Sequence, residues 1–176
     1  ANQFNITKLK WIFEGGDSNQ HSIRNGLWGL RDAGCAEDDI ILVHDGVRPL
    51  VAERIITENI EKCRKYGYAI TGMICKEAIM QKVDDCVKNI DIPRERLVRT
   101  QTPHTYPLGT LLKAHAEADA KGIDGTVASC TLMAELGVDN QHLVMGSEKN
   151  GLKLTQTEDV ELFKALKHTT KDEWLK

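Results

Sequence analysis

No stretch of this chain approaches the ~20 consecutive apolar residues that a membrane-spanning helix needs. Its opening residues lack the apolar core of a secretory signal. Positive charge is not in excess: 23 lysines and arginines stand against 26 aspartates and glutamates, a net charge of −3. That balance argues against a broad nucleic-acid surface, which requires clustered cations. Cys35, Cys63, Cys75, Cys86 and Cys130 form no CxxC or other close metal spacing, and neither do the six histidines. A reduced, cytoplasmic chain is the natural reading. Repeats, low-complexity tracts and linkers are also missing, so residues 1–176 read as a single domain. With 41% hydrophobic and 28% charged residues, it can bury a core without disulfide staples.

Two kinds of segment alternate along the chain. Residues 8–13, with Trp11, Ile12 and Phe13, read as a short strand closed by Glu14-Gly15-Gly16-Asp17. Ile23, Leu27 and Leu30 mark one face of a helix. Ile40-Ile41-Leu42-Val43 is a continuous β-branched run of the kind buried on both faces of a parallel sheet. Ile55, Ile56, Ile60 and Cys63 suit a second helix. The middle third then reads as short strands over 68–75, 78–83, 86–90 and 97–102, with Asp84-Asp85 as a turn. Residues from about 76 to 96 are expected to project as a β-arm. Helical spacing returns over 108–118 and 128–136, the latter ended by Gly137. A strand covers 142–145, and Thr157-Glu158-Asp159 opens a final helix. Its core face is either Val160, Phe163 and Leu166 or Leu162 and Leu166. This alternation implies an α/β fold: a Rossmann-like, mainly parallel sheet with flanking helices and a projecting arm.

Ligands of such sheets bind beyond the carboxyl ends of the strands. Those ends carry Gly15-Gly16-Asp17, the run His44 to Pro49, Gln101-Thr102-Pro103 and residues 146–153. Glycines let the backbone approach a ligand, an acid can hold a ribose hydroxyl or a magnesium ion, and Arg48 and Lys153 can neutralise phosphate. Each signal has a plain alternative. Gly15-Gly16 and Asp45-Gly46 are ordinary turn pairs, Arg48 can cap a helix end, and Lys153 can be a solvated charge. His44 reads as a packed strand-end histidine and the cysteines as small core residues.

Taken together these segments resemble a known family. Val43-His44-Asp45-Gly46-Val47-Arg48-Pro49 is similar to the VHDxxRP signature of the 2-C-methyl-D-erythritol 4-phosphate cytidylyltransferases and their relatives, the ribitol-5-phosphate cytidylyltransferases. Gly15-Gly16-Asp17 with Ser22-Ile23 and Gly26-Leu27 resembles the family's GGxxRxxSVxxGL segment. Arg99 to Tyr106 resembles its QTPQxF strand end, and Gly151 to Thr155 with Glu158-Asp159 its NIKxTxxEDL segment. The four occur in the family's order and span nearly the whole chain. The family's GGxGxRM loop and following lysine are not found, so about the first third of a full-length enzyme is expected to be absent. Asn19 stands where the family has Arg, Gly151 where it has Asn, and Val127-Ala128-Ser129-Cys130 replaces a TDDA-like segment. Lys76 stands where the erythritol enzymes carry an arm arginine, keeping the charge without the bidentate fork.

The resemblance implies the nucleotide-diphospho-sugar transferase fold and transfer of CMP from CTP to a sugar-alcohol phosphate, with Mg²⁺ and release of pyrophosphate. The acceptor is expected to be 2-C-methyl-D-erythritol 4-phosphate of isoprenoid precursor synthesis or, alternatively, ribitol 5-phosphate of cell-wall polymer synthesis. By the same resemblance Gly16, Asp17 and Ser22 line the cytidine pocket, and Asp45 lies by ribose and metal with Gly46 beside it. Arg48 fixes the loop or substrate, Lys153 faces the reacting phosphates, and Thr102 and Lys76 meet the substrate. Lys76 would act from the arm of a homodimer; no nucleic-acid or membrane partner is implied. The other reading is a catalytically silent relative or fragment that only binds a partner or nucleotide, and residues 1–176 alone are expected to turn over poorly without the glycine-rich loop.

Overall fold

The computed structural model describes residue 3 and residues 6–169. In chain order the elements are α1 (Asn19–Asp32), β1 (Ile40–Val43), α2 (Glu53–Tyr66), β2 (Ala69–Ile74), β3 (Met80–Val83), β4 (Cys86–Asn89), β5 (Val98–Pro107), α3 (Leu108–Lys121), α4 (Ser129–Glu135), β6 (His142–Met145), α5 (Glu148–Gly151) and α6 (Thr157–Thr169). Their contacts divide into two compact units. One comprises residues 1–41 and 106–139; the other comprises 42–105 and 140–176.

The first unit is helical. Ser18 accepts a hydrogen bond from the His21 N–H at 3.1 Å and so starts α1. Phe13 lies against α1 at Gly29, where any Cβ would fall 2.3 Å from the ring. Gln20 is buried and stitches α1 to the segment after α3: its Nε2 donates to Ile123 O at 2.8 Å and its Oε1 accepts from Thr126 N–H at 3.0 Å. α3 ends at Gly122 in the left-handed region, φ +66°. Residues 8–13 are not a strand, contrary to the reading of their apolar content. Ile12 is 83% exposed, and among the described residues no strand offers this segment a ladder, without which an extended apolar run remains a loop.

The second unit carries β2, β6, most of β5 and the end of β1, which belong to a four-stranded sheet in the order β1-β5-β2-β6. The sheet is mixed: β2 runs parallel to β6 and antiparallel to β5, with a register shift between Ile70 and Thr71. β1 is half-buried rather than enclosed on both faces. β5 extends to Pro107, past the expected end at Thr102. Helix α2 rests on β2 and β6 through Ile55, Asn59 and Cys63. Asn59 is fully buried, donating to Ile55 O and Thr71 Oγ1 and accepting from Thr105 Oγ1. It thus binds α2, β2 and β5 at one point. β3 and β4 form a separate two-stranded hairpin whose residues are all exposed, turning at Asp84 with φ 51°. This hairpin, residues 80–89, falls within the stretch of about 76–96 expected to form an arm. On α6, Phe163 and Leu166 are half-buried, whereas Val160 and Leu162 are both exposed, Leu162 the more so at 51%, so the structure does not decide between the two expected core faces.

Candidate active site

The loop that follows β1 is built from hydrogen bonds that leave its charged groups aimed at one another. Arg48 N–H donates to Asp45 O at 2.9 Å and closes a turn over Gly46-Val47. His44 spans that turn: its Nε2 lies 2.9 Å from Arg48 O, and its Nδ1 lies 2.9 Å from Thr102 Oγ1. Since a carbonyl can only accept, Nε2 carries the proton and Nδ1 accepts from the Thr102 hydroxyl. That hydroxyl in turn accepts the Asp45 N–H at 3.1 Å. The loop is therefore anchored to β5 by a chain in which every donor meets an acceptor. His44 thus braces the loop, with both ring nitrogens engaged.

On this loop Asp45 Oδ2 faces two cations. Arg48 Nε donates to it at 3.0 Å and Lys153 Nζ stands 3.3 Å away. Arg48 Nη1 also donates to Gly151 O, the carbonyl at the end of α5. The Arg48 guanidinium thus ties the loop after β1 to the end of α5. Leu154 N–H donates to Val47 O at 2.8 Å and brings the Lys153 segment alongside. Burial raises the Asp45 carboxyl's pKa, but Arg48 and Lys153 more than offset this and hold it below the ordinary range. A carboxylate and two cations, one with its side chain 47% exposed, make an anion-handling site whose lysine can change partners.

Beside Lys153 opens a cavity of about 430 Å³, lined also by Arg99, Lys149 and Glu148 and walled by Leu162 and Leu166. Sequence reasoning did not single out Arg99, which pairs with Glu148 at 2.6 Å; its place three residues before Thr102 on a strand gives no signal of this. Thr102 is buried and mid-strand, with its hydroxyl already engaged by the loop. Gly46 is exposed with open space where a side chain would go. Lys76 is exposed at the base of the arm, in a small cleft with Arg99 and Glu148. A larger cleft of about 560 Å³ lies on the arm itself, against Ile79, Met80, Ile92 and Leu97.

Gly16, Asp17 and Ser22 belong to the first unit. Ser22 Oγ accepts from Gly16 N–H at 3.0 Å and donates to Ser18 O at 2.9 Å, and Asp17 is exposed. A Cβ on Gly16 would lie 2.5 Å from that of His21, so the turn itself demands glycine. Asn19, the residue in place of the family's arginine, donates to Val127 O at 3.0 Å. It ties the start of α1 to the segment that replaces the TDDA pattern. Among the described residues no three His, Cys, Asp or Glu side chains are grouped to hold a metal, and no helix is long and apolar enough to cross a membrane.

The α/β sheet and the relatives it matches make this a nucleotidyltransferase-type domain. Residues 2–168 match the family described as IspD, 2-C-methyl-D-erythritol 4-phosphate cytidylyltransferase, and the chain belongs to that family. It is 42% identical to the ribitol-5-phosphate cytidylyltransferase of Lacticaseibacillus paracasei, over 93% of this chain and 69% of that protein. With the 2-C-methyl-D-erythritol 4-phosphate cytidylyltransferase of Clostridium acetobutylicum it shares 35% identity, over 90% of this chain and 66% of that one. The crystal structure of the Thermus thermophilus 2-C-methyl-D-erythritol 4-phosphate cytidylyltransferase superposes with a TM-score of 0.72 at 28% identity, covering 87% of this chain and 71% of that one. The chain thus spans about two thirds of the length of these relatives.

Proposed function

We propose that the protein transfers a cytidylyl group from CTP to the phosphate of a sugar alcohol, with ribitol 5-phosphate as the acceptor. The observation that carries this is the Asp45–Arg48–Lys153 cluster, seated where the family carries its VHDxxRP and NIKxT segments. In the reaction an acceptor phosphate oxygen bonds to the α-phosphorus of CTP, the bond from that phosphorus to the bridging oxygen breaks, and pyrophosphate leaves with that bond's electron pair. Lys153 gives up Asp45 and neutralises charge on the phosphoryl oxygens, while Arg48 keeps the loop in place. Gly16, Asp17 and Ser22 take the cytidine by family analogy, and Gly46 gives the nucleotide open backbone. Thr102 serves as the anchor of Asp45 and Lys76 as an arm cation for the acceptor.

Both cations take Oδ2 of Asp45, so its Oδ1 is the oxygen that would hold a magnesium ion. When bound, the metal would supply further neutralisation of the triphosphate. The proposal includes a cytoplasmic homodimer built through residues 76–96.

Identity of 42% to a ribitol-5-phosphate enzyme against 35% to an erythritol enzyme supports the acceptor, as does Lys76 in place of the erythritol enzymes' arginine. The erythritol phosphate, the acceptor expected first from the sequence, becomes the second reading, favoured by the family's own description. Pyrophosphate release by the full-length gene product, supplied with CTP, Mg²⁺ and each acceptor in turn, tests both. Higher kcat/KM with ribitol 5-phosphate is expected. Preference for the erythritol phosphate reverses the acceptor, and turnover with neither rejects the activity.

A further inference from the structure

Behind the charged loop, buried in the second unit, lie two carboxamides whose tasks the reaction does not explain. Asn150 is fully buried and Gln101 nearly so. Asn150 Nδ2 donates to Gln101 Oε1 at 2.9 Å and to Thr102 O at 3.2 Å. Gln101 Nε2 donates to Ser147 O at 2.9 Å. The Gln101 amide passes between two glycines: a Cβ on Gly146 would fall 2.1 Å from its Oε1, and one on Gly151 would fall 2.5 Å from its Nε2. Gly151, a departure from the family pattern, thus has a local reason.

The bonds form a closed circuit. Thr102 anchors Asp45, Asp45 holds Arg48, Arg48 grips Gly151 O, and Asn150, the neighbour of Gly151, returns to Thr102. Within it Asn150 Oδ1 is buried without a partner. Turning the amide over would face that oxygen towards two acceptors, so the orientation is fixed. An unpaired buried carbonyl oxygen costs stability, and an apolar residue of similar size would avoid the cost. The fold places an amide here, where together with the Gln101–Ser147 bond it joins β5 to the segment that carries Gly151 and Lys153.

We propose that the Gln101–Asn150 amide pair, clasped between Gly146 and Gly151, is a positioning device that sets the Arg48–Asp45–Lys153 cluster. This rests on the cytidylyl-transfer reading for its kinetic arm only. Asn150→Ala removes the two donors, and Gly151→Ala drives a methyl group into the Gln101 amide. Each should make the Asp45 and Arg48 amides exchange with solvent on the order of tenfold faster, as expected for a local opening. Exchange at Thr71 and Val144 should stay as in the wild type. In the full-length gene product each should lower kcat on the order of tenfold to a hundredfold through misplacement of the cluster. In an Arg48→Ala background, Asn150→Ala should cost less than about a further twofold, because both act along one path. Unchanged exchange at Asp45 and Arg48, or acceleration spread equally to Thr71 and Val144, overturns the proposal, and so does a kcat loss that adds fully to that of Arg48→Ala. Absence of wild-type turnover would reject the cytidylyl-transfer reading alone, since exchange still decides the positioning role.

Discussion

Lys153 Nζ stands 3.3 Å from Asp45 Oδ2, the same oxygen that Arg48 Nε holds at 3.0 Å. Arg48 is the more enclosed of the two cations, with its side chain 13% exposed, and it has a second bond to Gly151 O. Lys153 has a half-exposed side chain and, among the described residues, no second hydrogen-bond partner. An ion pair of that exposure contributes on the order of 1 kcal/mol or less. Lys153 can therefore leave Asp45 for a phosphate at little cost, whereas Arg48 cannot. Lys153→Ala should lower kcat about 10²-fold, the loss expected for one preorganised charge donor, with the melting temperature nearly unchanged. Steady-state kinetics with a melting curve checks this. A rate within about twofold of wild type would make Lys153 one more solvated charge.

Asp45→Asn keeps the shape of the side chain and removes its charge. Arg48 and Lys153 then face a neutral amide, and the site loses the oxygen left over for magnesium. Turnover should fall, and the magnesium concentration giving half-maximal rate should rise severalfold. A magnesium titration of wild type and variant reads both. A lower rate with an unshifted magnesium curve would leave Asp45 as the anchor of Arg48 and nothing more.

Asn59→Ala should destabilise the protein without touching the chemistry. The side chain joins α2, β2 and β5 through bonds to Ile55 O, Thr71 Oγ1 and Thr105 Oγ1. Its loss strands the Thr105 hydroxyl in the core and opens a small void. A cost of about 2–3 kcal/mol is expected from one unsatisfied buried group and the lost packing. Urea unfolding should show the lower midpoint with an unchanged slope.

The charged loop is legible in the sequence because its parts are local. A β-branched run marks β1, and Asp45 and Arg48 are three residues apart on the turn that ends it. Lys153 is legible through its place beyond a strand and through the resemblance. The amide pair is not: Gln101 and Asn150 are 49 positions apart, and only the sheet brings them together. Thr102 reads as a strand end because Pro103 looks like a terminator, whereas β5 carries on to Pro107. Residues 8–13 mislead for the opposite reason. Apolar content suggests a strand, but strand formation is decided by a partner that periodicity cannot see. The arm is legible because short strands around an Asp-Asp turn specify a hairpin from local pattern alone.

Residues 76–96 should hold two copies together. Ile79, Met80, Val83, Val87 and Ile92 are all at least 39% exposed, and a lone two-stranded hairpin cannot hide that surface. Light scattering at micromolar concentration should give a dimer for the intact protein and a monomer when residues 78–92 are replaced by a tight turn. A monomer in both cases would return the arm to an ornament of its own subunit.

Two buried histidines should make stability fall in mild acid. Burial pushes His104 down to about 4, against raising contributions from a Gln101 backbone hydrogen bond and Asp45, and with Arg48 and His44 adding to the depression. Burial likewise brings His115 to about 4, with Asp119 opposing and Arg24 and His21 reinforcing it. Both ring nitrogens of His115 and Nε2 of His104 lack hydrogen-bond partners, so neither ring is held in its charged form. In the unfolded chain each takes up a proton as pH falls through 6.5, and in the folded chain only near 4. The unfolded state therefore binds more protons throughout that window. The stabilisation from the two neutral rings is complete above pH 6.5 and is lost progressively as the pH drops towards 4. Between about pH 7.5 and about pH 5 the loss should be on the order of 2 kcal/mol per histidine. His115→Leu should remove about half of that dependence at little cost at neutral pH, because it also removes two unpaired nitrogens. Urea unfolding of wild type and variant at the two pH values gives the difference directly. Equal acid sensitivity in both would mean that His115 is not the group taking up the proton.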